Sequence, residues 1–192
     1  MQERAGASTL TDEQQTGATE ARPQIGHSRA ASARTAFVLF TALVVLILDQ
    51  ATKVAVREFL LTSGNSSVPL VGGWVKLTYV ENHGAAFGLL QNQSLFFIAV
   101  GLLVVAGILI GHRFVPAHQT ALAVCLGMQL GGATGNMLDR IRYGHVFDFV
   151  DLSFWPVFNV ADSAIVIGVM ILAYHLLSSP SEQHPSGGNP EK

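Results

Sequence analysis

Two aspartates, Asp148 and Asp162, are the residues whose type and placement most clearly indicate chemistry. Each lies beside strongly apolar sequence, in a cluster of amides, glycines and other charges. The clusters are GGATGNMLDRIRYGHVFDFVD (131–151) and FNVADSAIVIGVM (158–170). An ionisable group near the centre of a membrane-spanning helix costs roughly 2.5–3.5 kcal/mol on insertion scales. A chain that keeps such groups beside amides is expected to use them, so the sequence predicts a two-aspartate site at a membrane surface.

Paired carboxyl groups can hydrolyse a peptide bond. Held close together they cannot both ionise cheaply, so they share one proton, as in aspartic proteases. The ionised carboxylate can deprotonate a water while the protonated one donates to the scissile carbonyl oxygen, without a metal or a covalent intermediate. Residue type alone leaves another interpretation equally open. Asp162 would then be a first-turn acid that favours its helix dipole, and Asp148 would pair with Arg140 or Arg142.

The elements that must position these residues are predicted to be membrane helices. Only 12% of the 192 residues are charged and the mean hydropathy is +0.41, whereas soluble domains have about 25% charged residues. Four segments approach the roughly 20 residues that cross a bilayer core, and lipid-exposed backbone must be helical. The predicted spans are about 36–56, 95–111, 120–138 and 160–177. The fold class is therefore an all-α integral membrane protein.

Polar sequence surrounds this membrane unit of residues 35–177. Residues 1–34 and 178–192 contain few large apolar residues and are predicted to be disordered tails. The first apolar run resembles a signal peptide, but it leads directly into LDQATK without a clear cleavage site, so a retained helix is expected. Between the first two spans, VGGWVKLTYVENHG alternates apolar and polar residues, which predicts a β element at about 64–83.

Charge and ligand-forming residues narrow the function classes. The formal net charge of −2 does not suggest nucleic-acid binding. A single cysteine, Cys125, excludes an intrachain disulfide and a multi-cysteine metal centre. The histidines, among them His83 and His145, lack metal-ligand spacing, so neither a metal nor a cofactor is predicted.

The remaining polar residues near the spans converge on one membrane face. Asp49 and Lys53, four residues apart, are expected to form an ion pair. Lys53 as the base of a serine nucleophile is a weaker alternative, because the nearby serines lie in a Gly/Asn-rich loop. Asp139 and Arg140 are expected to form a structural pair. Asn136 shares a helix face with them, as Asn159 does with Asp162.

Glycines mark one face of the third span. Gly127, Gly131 and Gly135 recur at a spacing of four residues, which predicts close approach of a neighbouring helix.

Five blocks of this sequence resemble lipoprotein signal peptidase (signal peptidase II), a family of bacterial aspartic membrane proteases. They are LDQATK (48–53), ENHGAAFG (81–88), GGATGNMLDR (131–140), GHVFDF (144–149) and FNVADS (158–163), in the family's order. The resemblance implies that Asp148 and Asp162 are the catalytic pair. It implies supporting or substrate-binding roles for Asp49, Lys53, Asn82, Gly84, Asn136, Asp139, Arg140 and Asn159. It also implies four transmembrane helices with a small extracytoplasmic β-cradle.

The same resemblance implies a substrate and a location. The substrate would be a prolipoprotein that already carries diacylglyceryl on its lipobox cysteine, cut just before that cysteine by a monomeric enzyme in contact with membrane lipid. The enzyme would lie in the bacterial inner membrane. Independently of the resemblance, four spans place both termini on one side, and a slight excess of Lys and Arg in the tails and the short turn favours the cytoplasm for them. Two other classes remain as alternatives. Intramembrane carboxylates also serve proton-coupled transporters, but these cluster at one face, and a non-catalytic assembly protein would leave the Asp–Asn clusters unexplained.

Overall fold

The protein combines four helices with one small sheet in a computed structural model that describes residues 24–84, 90–116 and 119–178. The elements in chain order are α1 (Gln24–Ser63), β1 (Ser67–Val71), β2 (Val75–Asn82), α2 (Ser94–Gly111), α3 (Thr120–Tyr143), β3 (Val146–Asp151) and α4 (Val160–Ser178). A short 3₁₀ turn, His112–Phe114, follows α2.

Three of the described helices are long and apolar enough to cross a membrane. They correspond to α1 from Ala31, α2 with its following turn, and α3, whereas α4 is apolar but shorter, over Val160–His175. Large apolar side chains such as Leu103 on α2 and Phe40 on α1 point outward. Apolar surface of this extent suits lipid rather than water. The predicted membrane class is supported, and the crossing by α4 stays a prediction.

Helix α3 lies at the centre and packs against α1, α2 and α4. Its glycines allow backbones to touch, as predicted. A Cβ added at Gly131 would lie 2.5 Å from the carbonyl oxygen of Ala42 on α1, and one at Gly127 would lie 2.7 Å from that of Val38. Val38 and Ala42 belong to the buried apolar core together with Leu130 of α3. Any larger residue at either glycine would separate the two helices.

The sheet is antiparallel, with strand order β1-β2-β3. A turn containing Gly72 and Gly73, both at positive φ, connects β1 to β2. The pairing of β2 with β3 is irregular between Leu77 and Val80, and it ends with Asn82 opposite Val146. The predicted β element at 64–83 therefore contains two of the three strands.

Strand β3 (Val146–Asp151) was missed by the sequence analysis, which predicted a β element only at about 64–83. The first four of its six residues, VFDFVD, are buried and the last two are partly exposed. Its pairing partner is β2, more than sixty residues earlier in the chain. Short apolar runs do not reveal a distant partner. The correction matters because Asp148 lies on this strand.

Two helices are longer than predicted. Helix α1 begins at Gln24, within the predicted N-terminal tail, and Arg34 donates a hydrogen bond to the carbonyl of Val115. Helix α3 continues to Tyr143 and ends at Gly144, whose φ of 80° is left-handed and whose N–H bonds Arg140 O at 3.0 Å. Glycine tolerates this capping conformation without strain. The rest of both predicted tails lies outside the described residues.

Candidate active site

Asp148 is almost completely buried on β3, with 1% of its surface exposed. Asn82 Nδ2 donates to Asp148 Oδ2 at 2.8 Å, and Asn159 Nδ2 donates to Oδ1 at 2.6 Å. The antiparallel register accounts for the first contact, because Asn82 and Val146 are paired and Asp148 follows two residues later on the same face. Neither Arg140 nor Arg142 forms an ion pair with Asp148 among the described residues. The proposed structural pairing of Asp148 is therefore not supported.

Asp162 lies in the first turn of α4 and forms a reciprocal cap with Asn159. The Asp162 N–H donates to Asn159 Oδ1 at 2.9 Å, and the Asn159 N–H donates to Asp162 Oδ2 at 3.2 Å. This exchange is a capping box built from Asn and Asp, which explains why α4 begins here. A second amide, Asn136 of α3, donates to Asp162 Oδ1 at 2.7 Å. Asp162 is thus both a first-turn acid and a member of the polar cluster.

Asn159 links the two aspartates. Its side-chain nitrogen donates to Asp148, its oxygen and backbone N–H bind Asp162, and it also donates to Asn136 Oδ1 at 3.1 Å. Asn159 itself is fully buried. The sequence predicted that Asn159 shares a helix face with Asp162, and the structure adds its contact with β3. Both carboxyl groups therefore belong to one continuous hydrogen-bond network.

The environment of Asp148 favours its protonated form. Burial raises the pKa of Asp148 to about 7, and the nearby negative charge of Asp162 adds to the increase. Hydrogen bonds from Asn82 and Asn159 and the positive charge of Lys53 act in the opposite direction. A carboxyl group of this kind can hold a proton at neutral pH and donate it during a reaction.

A buried ion cluster supports the network from α1. Lys53 Nζ lies 2.9 Å from Asp49 Oδ2 and 2.7 Å from Asp139 Oδ2, and it donates to Asn136 Oδ1 at 3.1 Å. The predicted Asp49–Lys53 pair is confirmed. Asp139 pairs with Lys53 rather than with its neighbour Arg140, so that expectation is wrong. These side chains lie on two helices, and the sequence could not show that α1 and α3 bring them together.

The surroundings of Lys53 do not fit a serine nucleophile. Its ammonium group is surrounded by two carboxylates and one amide oxygen. The serines considered from the sequence lie elsewhere: Ser63 binds the carbonyl of Leu60, and Ser67 binds Thr78 on the exposed hairpin. The alternative of Lys53 as a base is therefore not supported.

Arg140 holds the chain beyond β2. Its guanidinium donates to Gly84 O at 3.1 Å and to Asn136 O at 3.4 Å, and it lies 4.8 Å from the ring centroid of Phe97. The Gly84 N–H in turn donates to Asn82 Oδ1 at 3.0 Å, which orients the amide that binds Asp148. Arg140 and Gly84 thus act on the site indirectly. The following residues, 85–89, which include the second half of the ENHGAAFG block, lie outside the described residues.

One supporting residue was not singled out from the sequence. Gln50 Nε2 donates to Asp49 Oδ2 at 3.1 Å and to Asp139 Oδ1 at 3.0 Å, and its Oε1 accepts from Arg142 at 3.2 Å. Gln50 therefore joins α1 to α3 at the edge of the ion cluster. Its position in an apolar span, three residues before Lys53, was the available signal.

Comparison with known proteins identifies the family. A sequence model of the family described as Signal peptidase (SPase) II matches residues 41–178. The chain belongs to the signal peptidase II family. A protein named lipoprotein signal peptidase from Moorella thermoacetica is 48% identical over 145 residues, which is 76% of this chain and 95% of that protein. A protein of the same name from Pelotomaculum thermopropionicum is 45% identical over 142 residues, or 74% of this chain and 92% of that protein.

Solved structures agree with this family assignment. One described as a bacterial membrane enzyme, determined by the in meso method at 2.3 Å resolution, matches with a TM-score of 0.68 and 26% identity. The match covers 79% of this chain and 94% of that one. A second bacterial membrane enzyme, at 1.9 Å resolution, matches with a TM-score of 0.64 and 27% identity. That match covers 74% of this chain and 94% of the chain in the solved structure. The described helices and three-stranded sheet therefore match a membrane-enzyme fold of a protease family.

Proposed function

We propose that this chain is an aspartic membrane endopeptidase that uses Asp148 and Asp162 to activate water. The observation that carries the proposal is the link through buried Asn159, which holds both carboxyl groups in one hydrogen-bond network. The two groups come from different elements, β3 and α4, and neither forms an ion pair with Lys or Arg among the described residues. Family membership supports a protease, and the two carboxyls supply its chemistry.

The mechanism follows from one proton shared by two acids. The ionised aspartate removes a proton from water as the oxygen attacks the scissile carbonyl carbon, and the protonated aspartate donates to the carbonyl oxygen. As the resulting gem-diol collapses, one of its hydroxyl protons returns to the second aspartate and the C–N bond breaks. The departing amine takes up the proton that the first aspartate received, which restores the starting state of the pair. The pKa of about 7 for Asp148 suits a pair that holds one proton near neutral pH.

The supporting residues keep the two acids in place. Lys53 is held between Asp49 and Asp139, and its positive charge limits the accumulation of negative charge near Asp148. Asn82, Asn136 and Asn159 donate to the carboxylates without adding charge. Preorganised donors of this kind stabilise charge in a site with little water.

The substrate we propose is a prolipoprotein that carries diacylglyceryl on its lipobox cysteine, cut immediately before that cysteine. Relatives at 45–48% identity are named lipoprotein signal peptidases. A lipid-anchored substrate presents its scissile bond at the bilayer surface. Asp49 of α1 meets Asp139 near the C-terminal end of α3 through Lys53, and it meets the first turn of α4, which carries Asp162, through Ala161. The scissile bond would lie there, beside the sheet. The exposed apolar helix faces would contact lipid.

We further propose that all four helices cross the inner membrane and that both termini are cytoplasmic. An even number of crossings places both ends on one side, with the sheet and the site on the extracytoplasmic side. A slight excess of Lys and Arg in the tails and the α2–α3 turn supports this orientation. We expect the chain to act as a monomer, because each proposed site residue belongs to the same chain.

The test is cleavage of a diacylglyceryl-modified prolipoprotein by purified protein in detergent, with EDTA present. Wild type should cut it, whereas Asp148→Asn and Asp162→Asn should each lose about 10²–10⁴-fold in turnover. Asp151→Asn is the matched control, because Asp151 lies on the same strand but binds Thr78 and Ser153 instead of the network. Near-normal turnover in folded Asp148→Asn or folded Asp162→Asn would contradict the assignment of these two residues as the catalytic pair. If wild type cut nothing, the proposed activity would be wrong and proton-coupled transport would be tested next.

A further inference from the structure

A second cluster of ligand-forming side chains lies on the other face of the β2–β3 pair. Side chains alternate along a strand, so Tyr79, Glu81 and His83 share the face opposite to Asn82. The register pairs Asn82 with Val146, so the next residues outward, His83 and His145, face each other. Their ring centroids are 5.1 Å apart. Because the two histidines are separated by more than sixty residues, their spacing in the sequence gave no indication of a site.

The three side chains are close without being bonded to one another. Glu81 Oε2 lies 3.7 Å from His83 Nε2, and Glu81 Oε1 lies 3.8 Å from His145 Nε2. Both separations exceed a hydrogen bond. One ligand atom from each of the three residues falls within 4.8 Å of the others. Around a tetrahedral zinc ion with bonds of about 2.0–2.1 Å, ligand atoms stand about 3.4 Å apart, so small side-chain rotations would close the site.

We propose that Glu81, His83 and His145 bind one divalent transition-metal ion of the zinc type. Two imidazoles and one carboxylate are a common ligand set for zinc, whereas magnesium and calcium prefer oxygen ligands alone. The carboxylate offsets one of the two positive charges. A fourth coordination position would remain open to water, because Glu81 and His83 are each 45% exposed.

A neighbouring hydroxyl orients the carboxylate. Tyr79 donates to Glu81 Oε1 at 3.2 Å, and the Tyr79 ring packs against Phe147 with centroids 4.8 Å apart. A hydrogen bond from a neighbouring group to a metal-binding side chain helps to hold that side chain in the orientation that the metal requires. Phe147 pairs with Glu81 across the two strands, so the same sheet contact that positions Asp148 also supports the metal ligands.

The bound ion would connect the open ends of β2 and β3. Asn82, which donates to Asp148, lies between Glu81 and His83 in the chain. Within the part of the chain that the structure describes, the hydrogen-bond partners of the Asp148 and Asp162 carboxyl groups are asparagines, and none of the three proposed ligands is among them. The metal site is therefore distinct from the proposed catalytic pair, although it lies on the same two strands.

Zinc binding by protein without a polyhistidine tag tests the proposal directly. Apoprotein in detergent would be titrated with Zn²⁺ against a chromophoric chelator. We expect each wild-type chain to bind one Zn²⁺ ion. The His83→Ala and His145→Ala variants should lose this ion, and Glu81→Gln should bind it more weakly. His112→Ala is the matched control, because His112 lies at the other end of α2, 3.1 Å from Thr35 Oγ1, and this variant should keep the ion.

Thermal unfolding provides a second measurement that is independent of peptidase activity. Zn²⁺ should raise the melting temperature of wild type and of His112→Ala, but not that of His83→Ala or His145→Ala, since a ligand that binds only the folded state stabilises it. Melting temperatures without metal show whether each variant folds. The proposal is overturned if wild type binds no zinc, or if folded His83→Ala and His145→Ala both bind the ion as wild type does.

Discussion

Asp49 on α1 accepts a hydrogen bond from the backbone N–H of Ala161 on α4, with Oδ1 and N 3.0 Å apart. The first N–H groups of a helix have no partner inside it, and a carboxylate favours the positive end of the helix dipole. Fully buried Asp49 therefore holds the turn of α4 that carries Asp162. Because Asp49 also pairs with Lys53, the position of Asp162 depends on the ion cluster.

Replacement of Gly135 by alanine should disturb this connection. An added Cβ would lie 2.5 Å from Asp49 Oδ2, a distance at which Asp49 must move. We expect a loss of about 1–3 kcal/mol in stability, as for other overpacked cores, and reduced turnover because Asp162 shifts with α4. Melting temperature and prolipoprotein cleavage in detergent would show both effects. Gly107→Ala is the control, because a Cβ there meets nothing within 4 Å. Equal behaviour of the two variants would contradict the proposed connection.

Removal of the Lys53 charge should destabilise the protein. Lys53→Met leaves Asp49 and Asp139 buried without their cation, and loss of one partner from a buried ion pair typically costs about 3–5 kcal/mol. The melting temperature should fall well below that of Lys76→Met, a matched change on β2 where the lysine is partly exposed.

A double variant separates charge imbalance from lost packing around Lys53. In Lys53→Met/Asp139→Asn, one of the two uncompensated carboxylates is also removed, so its destabilisation should be smaller than the sum of the two single changes. Strict additivity would show that Lys53 and Asp139 do not interact in solution.

The pH dependence of cleavage should shift when Asn82 is removed. The paired acids need one proton, so activity should decline where that proton is lost, near the pKa of about 7 for Asp148. The hydrogen bond from Asn82 lowers the pKa of Asp148. Asn82→Ala should therefore raise this pKa, keep the proton bound to higher pH and move the alkaline limb of the kcat profile upward. Asn65→Ala, in the exposed loop after α1, should leave the limb in place. A downward shift in Asn82→Ala would contradict the assignment.

The variant Asp148→Asn should lose activity without a matching loss of stability. The folded-state pKa of Asp148 is raised from 3.8 to about 7, so between these values the folded protein binds a proton that the unfolded chain lacks. Wild-type stability therefore decreases as pH rises through this window and levels off above it. The amide of the Asp148→Asn variant cannot ionise, so this variant does not lose stability through this group as pH rises. The difference in melting temperature, variant minus wild type, should therefore increase from about pH 5 to about pH 8. The opposite trend would show that the Asp148 carboxylate stabilises the fold.

Much of the site could be predicted because its residues are conspicuous in an apolar chain. Asp49 and Lys53 were paired correctly because a spacing of four places side chains together on any helix. Asp162 was expected in the first turn of its helix and close to Asn159, three residues earlier, and the structure bears out both. The close-packed glycine face of α3 was visible as a four-residue repeat. In each case the contact is local, so helical geometry determines it.

Contacts between distant segments could not be predicted from the residues alone. Asp139 was assigned to adjacent Arg140, but the crossing of α1 and α3 brings it to Lys53. Strand β3 was not predicted because its partner, β2, lies far away in the chain, and a strand of six residues has too short a pattern to identify it. His83 and His145 were separated for the same reason.

The sequence by itself determined the chemical groups and their local surroundings: apolar helices, an Asn–Asp cap, a Lys–Asp pair, and acids kept beside amides. The tertiary structure decided which of these groups meet. Antiparallel pairing of β2 with β3 places Asp148 beside Asn82, and the start of α4 brings Asn159 to Asp148. The physical reason is that helix and strand periods act over a few residues, whereas strand register and helix crossing depend on the packing of the whole chain.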